Sequence, residues 1–213
     1  MKNGYRAFGA LLGWSALVLQ YVLVVTGGQH PSVGAATLTF FGYFTITTNI
    51  LVALAFTAPF LKPSSKVHIF FMRPAVRAAI ALYILVVAVV YHVLLAHLLE
   101  PAGLALVADI CLHTAIPILY ILDWLVFAEK RPMLYREIPY WVIYPILYGA
   151  FTILRGLITD FYPYPFLNIT DLGVVGVLIN MLGFTAVYAV GGAFFVSLGK
   201  RVSQERTTIV DSS

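Results

Sequence analysis

The sequence predicts an all-α integral membrane protein, a bundle of six transmembrane helices with both termini in the cytoplasm. Three observations carry this. Hydrophobic residues make up 61% of the chain and charged residues 10%, and the mean hydropathy of +0.93 lies far outside the range of soluble domains. Six apolar stretches, at 6–27, 36–61, 75–98, 103–128, 137–158 and 173–198, each approach or exceed the 20 or so residues that cross roughly 30 Å of hydrocarbon. The basic residues then alternate by side. Lys2 and Arg6 precede or open the first span, Lys62, Lys66, Arg73 and Arg77 surround loop two, Lys130, Arg131 and Arg136 mark loop four, and Lys200, Arg201 and Arg206 fall in the tail. Loops one, three and five contain neither Lys nor Arg, so the positive-inside rule places both ends inside. Residues 1–199 form one transmembrane domain and 200–213 a polar cytoplasmic tail, expected to be disordered. The same alternation explains the net charge of +4 without a nucleic-acid partner.

The first span is too long for the apolar core of a cleaved signal peptide and reads as a retained helix. Loop one, Gly27 to Gly34, has turn chemistry, and His30 reads as a solvated loop residue. Span two carries the polar burst Tyr43-Phe-Thr-Ile-Thr-Thr-Asn49. Thr47 and Thr48 suit hydrogen bonds to the carbonyls one turn back. Thr45 and Asn49, four residues apart, share a face and form a polar stripe.

Span three contains His92 and His97, five apart and so off a common face; His97 lies at the outer boundary and His92 deeper. Span four holds the most polar chemistry: Asp109-Ile-Cys-Leu-His-Thr-Ala-Ile-Pro117. Ionisable side chains in a membrane helix cost several kcal/mol, turn inward and mark sites. The i,i+4 spacing of Asp109 and His113 suits a carboxylate orienting an imidazole. Pro117 has no N–H for the carbonyl of His113, which predicts a kink. Asp123 and Trp124 read as interfacial anchors. Cys111 is a lone cysteine, so no disulfide framework exists.

Span five ends at Arg155-Gly156. Arg155 either snorkels to headgroups or binds a substrate carboxylate with its guanidinium fork. Loop five, Asp160 to Asn168, is aromatic and proline-rich and suits an interfacial cap. Span six has glycines that permit close helix packing, and Asn180.

Depth links these residues. Thr45 lies about nine residues below the outer end of span two and His113 about ten below that of span four, so both sit roughly 14 Å deep at 1.5 Å per residue. His92, Asp109, Asn180 and Arg155 fall between that level and the outer surface. A threonine hydroxyl becomes a nucleophile when a base takes its proton, and histidine is suited to that near neutral pH.

At these residues the chain resembles the six-helix family of androgen-induced and androgen-dependent TFPI-regulating proteins, with its bacterial Pr6Pr branch. The matching pieces are Tyr43-Phe-Thr45 with Asn49, His113-Thr-x-x-Pro117, Asp123-Trp124, Tyr144-Pro145, Arg155-Gly156 and Tyr162-Pro-Tyr-Pro-Phe166. The last block resembles the bacterial branch most closely, which implies a bacterial plasma membrane. The resemblance implies an intramembrane hydrolase of fatty acid esters of hydroxy fatty acids, with Thr45 as nucleophile, His113 as acid and base, and no metal or cofactor. Thr47 and Thr48 remain alternatives for the nucleophile. Asn49, His92, Asp109, Arg155 and Asn180 are the supporting candidates, with a lipid ester as substrate and membrane lipids as surroundings. Two other readings stand beside it: a metal-dependent lipid hydrolase built on His92, Asp109 and His113, and a non-enzymatic lipid or small-molecule carrier.

Overall fold

A computed structural model describes residues 1–127 and 133–211, with side chains described as far as 200. Lys130 and Arg131, two of the basic residues of loop four, lie outside the described residues. All regular structure among the described residues is helical. Five helices are long and apolar enough to cross a membrane, and a sixth span results if one bent pair is counted together. The chain divides into two compact units, Met1–Glu129 and Lys130–Ser213.

In the first unit, α1 (Lys2–Thr26) buries Gly9, Gly13, Ala16 and Leu17 along one stripe. A Cβ added at Gly9 would stand 2.8 Å from the Phe56 ring, and one at Gly13 3.2 Å from the Ala53 side chain. Small residues thus let two helix backbones approach where lipid supplies no hydrophobic drive.

The second span is broken where a single helix over 36–61 is expected. Helix α2 (Val33–Phe41) starts at Ser32, whose hydroxyl accepts from Ala35 N–H at 3.1 Å. Helix α3 (Phe44–Thr57) leaves it at a bend of 74°. The cause is local: Tyr43 is extended, at φ −90° and ψ 132°, and cannot carry the α-helical ladder across. Thr45 therefore stands in the first turn of a new helix instead of the middle of an old one.

A short α4 (Lys66–Phe71), capped by Ser65, leads to α5 (Pro74–Val90), whose proline occupies the first turn, where no N–H is missed. Helix α5 runs into a π turn at Tyr91–Leu95. Span four repeats the device: α6 (Leu104–Ile110), a π turn at Cys111–Ala115, then α7 (Ile116–Phe127). The wide turn lies immediately before Pro117 and contains His113, whose carbonyl that proline cannot serve.

The core of this unit includes Val52, Ala55, Phe56, Ile84, Ile116 and Tyr120, all fully buried. Phe56 meets Tyr120 edge to face, at 5.2 Å and 85°. Asp123 and Trp124 belong to this core, at 0% and 2% exposure, and are not interfacial anchors. The reason is an ionic one: Arg6 Nε donates to Asp123 at 2.7 Å and Arg77 pairs with the same carboxylate. Both arginines, read above as cytoplasmic charges, are themselves 2% exposed.

In the second unit, α8 (Ile138–Thr159) ends at Asp160, which adopts the left-handed conformation at φ 54°. Helix α9 (Ile169–Asp211) breaks at Gly173, at φ 66° and ψ 169°. It continues through residues 200–211, so the tail expected to be disordered is helical to Asp211. The segment between the helices folds as an aromatic cap: Tyr164 stacks on Phe166 at 5.2 Å and 4°, and Phe166 packs on Phe184 at 4.9 Å. Gly156 makes room for Tyr162, whose ring occupies the space of a Cβ at that position.

Candidate active site

The candidate site lies in the first unit and is built on the two π turns. Asp109 is in the last turn of α6, and His113 is displaced by the π turn that follows. Their i,i+4 spacing brings His113 Nδ1 to 3.0 Å from Asp109 Oδ1 and 3.2 Å from the Asp109 carbonyl. An imidazole whose Nδ1–H donates to a carboxylate presents Nε2 as its acceptor, the tautomer a general base needs.

The other carboxylate oxygen is also taken. Tyr91, first residue of the π turn after α5, donates its hydroxyl to Asp109 Oδ2 at 2.6 Å. Its ring lies on the imidazole, with centroids 3.7 Å apart and planes 8° from parallel. One side chain thus fixes the acid by a hydrogen bond and the base by stacking. The site is half-closed: the side chains of His113 and Asp109 are 15% and 17% exposed.

Asn49 joins this group to the threonines. It is fully buried, and its Nδ2 donates to the carbonyls of Thr45 at 2.9 Å and Leu112 at 3.2 Å. The first turn of α3 is thereby tied to the residue preceding His113. Of the three threonines here, Thr48 is fully buried. The Thr47 hydroxyl turns back to the carbonyl of Phe44 at 3.2 Å. Thr45 is half-exposed, in the first turn of α3. The positive end of the α3 dipole lies at this turn, where it favours a developing negative charge.

His92 follows Tyr91 and has a different partner. Its Nε2 lies 3.1 Å from the hydroxyl of Thr114, on an exposed face. Among the described residues no group of three or more His, Cys, Asp or Glu side chains could hold a metal ion, so His92, Asp109 and His113 do not converge as ligands. Arg155 and Asn180 belong to the second unit. The Arg155 guanidinium lies 4.8 Å over the Phe161 ring, and Asn180 Nδ2 donates to the Phe166 carbonyl at 2.9 Å, holding the aromatic cap.

Sequence reasoning misses Tyr91 and gives Thr114 no role of its own. A tyrosine in an apolar run has no spacing signature, and the π turn that aims it depends on packing. Thr114 carried a weak signal, since it follows His113 on the span richest in polar groups. In comparison with known proteins, no family model, no curated protein and no solved structure matches the chain.

Proposed function

We propose that the protein hydrolyses lipid esters inside the membrane, with Thr45 as nucleophile and His113 as general base and then acid. The observation that carries this reading is the Asp109–His113 hydrogen bond at 3.0 Å, which holds the imidazole in the tautomer able to accept a proton at Nε2. Three further features support it: the Asn49 bridge from Thr45 to the His113 turn, the half-exposure of Thr45, and the α3 dipole beneath it.

In the proposed cycle the Thr45 hydroxyl attacks the ester carbonyl while His113 Nε2 takes its proton. The tetrahedral intermediate then expels the alcohol, which receives that proton from the imidazolium. Water attacks the acyl-threonine, giving its proton to Nε2, and the proton passes to Thr45 as the carboxylic acid leaves. Asp109 balances the imidazolium formed in each half, the role of the acid in a nucleophile–His–acid triad.

The resemblance to the hydrolases of hydroxy-fatty-acid esters points to the same substrate class. It also favours a bacterial plasma membrane as the site of action, and the alternation of Lys and Arg between loops supports six spans with both termini inside. The test is hydrolysis of a panel of hydroxy-fatty-acid esters, with triglyceride and phospholipid controls, by detergent-purified wild type, Thr45→Ala and His113→Ala. Selective activity lost in both variants, with helicity and melting unchanged, supports the reading. Absence of hydrolysis on every ester refutes it in favour of a carrier, and activity indifferent to both substitutions refutes Thr45 and His113 as the catalytic pair.

A further inference from the structure

The charges that the proposed chemistry leaves unused gather around Asp123. Arg6 on α1, Arg77 on α5 and Asp123 on α7 are 2%, 2% and 0% exposed. Arg6 donates Nε and Nη2 to the two oxygens of Asp123, at 2.7 and 3.3 Å. Arg77 donates Nη2 to the same carboxylate and Nη1 to the Ala55 carbonyl, the latter at 3.3 Å. Two guanidinium groups thus face a single carboxylate. A buried charge left uncompensated is strongly unfavourable.

Two donors in the same place end without an acceptor. Among the described residues, Arg77 Nε and the Tyr120 hydroxyl are buried with no hydrogen-bond partner. Their side chains are in contact, with the Arg77 guanidinium 5.7 Å from the centroid of the Tyr120 ring. The nearby Tyr5 hydroxyl is spent on the Leu119 carbonyl at 2.8 Å. The cluster therefore lacks one negative charge and an acceptor for two donors. A carboxylate supplies both: a single charge and two oxygens. A phosphate dianion would overshoot the charge and bring more oxygens than there are open donors.

We infer that Arg77, Arg6 and Tyr120 form a subsite for the carboxylate of a lipid chain. The inference rests on the hydrolase reading for its place in a substrate. Asp123 lies ten residues beyond His113 (123 − 113) on the same span, roughly 15 Å at helical rise. A substrate with its ester at Thr45 and His113 and a free carboxylate here must carry both on one extended chain.

Binding and turnover test this separately. In uncharged detergent, the thermal shift of the purified protein is titrated with dodecanoate, methyl dodecanoate, dodecanol, dodecyl phosphate and inorganic phosphate. Dodecanoate is expected to bind saturably, at least tenfold more tightly than the other four. Tyr120→Phe, which removes a hydroxyl without a partner and so keeps the fold, is expected to weaken dodecanoate about tenfold. Arg77→Lys, which keeps the charge but loses Nε, weakens it further. In turnover, the KM advantage of a free-acid ester over its methyl ester should close in Tyr120→Phe, with kcat little changed. Equal binding of acid and methyl ester, preference for either phosphate, or dodecanoate affinity unmoved by Tyr120→Phe overturns the subsite. If the wild type hydrolyses nothing yet still binds dodecanoate selectively, the carboxylate site stands and the hydrolase reading falls.

Discussion

The ring of Tyr91 lies 3.7 Å above the imidazole of His113 and almost parallel to it, while its hydroxyl donates to the carboxylate that also accepts from His113. Three side chains from two spans thereby constrain one another, and the substitution that separates their roles is Tyr91→Phe. It keeps the stack and removes the hydrogen bond to a charged acceptor, a contact worth about 1.5–3 kcal/mol. We expect kcat/KM on a hydroxy-fatty-acid ester to fall roughly tenfold or more, with a drop in melting temperature smaller than that of the alanine variant. Tyr91→Ala, which also removes the stack, should lower the melting temperature further.

Asp109→Asn tests the tautomer directly. An amide in place of the carboxylate donates or accepts at Nδ1 according to its rotamer and no longer balances an imidazolium. The expected loss in kcat is on the order of 10²-fold or greater, by analogy with the acid of a catalytic triad. Steady-state kinetics should place the loss in kcat and leave KM within a few-fold.

Asn49→Ala removes the donor shared by the Thr45 and Leu112 carbonyls. Leaving buried acceptors unserved costs about 1–3 kcal/mol, so the melting temperature should drop. Thr45 should lose its register with His113, so activity should fall by more than the residual folded fraction explains. A melting curve and a specific activity from the same preparation check both. Full activity in a destabilised Asn49→Ala protein would remove Asn49 from the site.

Much of this arrangement is legible in the chain itself. The Asp109–His113 pair follows from i,i+4 spacing, and Thr45 with Asn49 from the same rule, because helical periodicity is local. What escapes is set by packing between segments. The 74° bend before α3 turns on one extended residue, Tyr43, and no proline beside it announces a break. The two π turns rotate Tyr91 and His113 toward Asp109, and only the proline at 117 hints at either. Arg6, Arg77 and Asp123 look like surface charges because each stands near the end of an apolar run; their meeting depends on three helices, two of them more than 100 residues apart in sequence, as the 117-residue separation of Arg6 and Asp123 illustrates.

That ionic cluster makes a stability prediction independent of any ligand. Asp123→Ala would leave two guanidinium groups facing each other in the core, and removing one partner of a buried ion pair typically costs about 3–5 kcal/mol. Thermal unfolding in detergent should show a large loss, or failure to recover folded protein. Arg6→Met leaves Asp123 still paired with Arg77 and so should be far milder. Equal penalties for the two substitutions would contradict the assigned imbalance of charge.

In the second unit the sharpest constraint is steric. The Tyr162 ring occupies the position that a Cβ would take on Gly156, and Gly156 is buried near the end of α8. Gly156→Ala should therefore force the ring and its loop outward, at about 1–3 kcal/mol for an overpacked contact. The companion substitution Tyr162→Ala removes the obstacle, so the double variant should be more stable than the sum of the two single penalties predicts. A double-mutant cycle on melting free energies measures this coupling, expected at about 0.5–3 kcal/mol for residues in contact. Additive penalties would mean that the loop carrying Tyr162 yields freely and that Gly156 is not held for its small size.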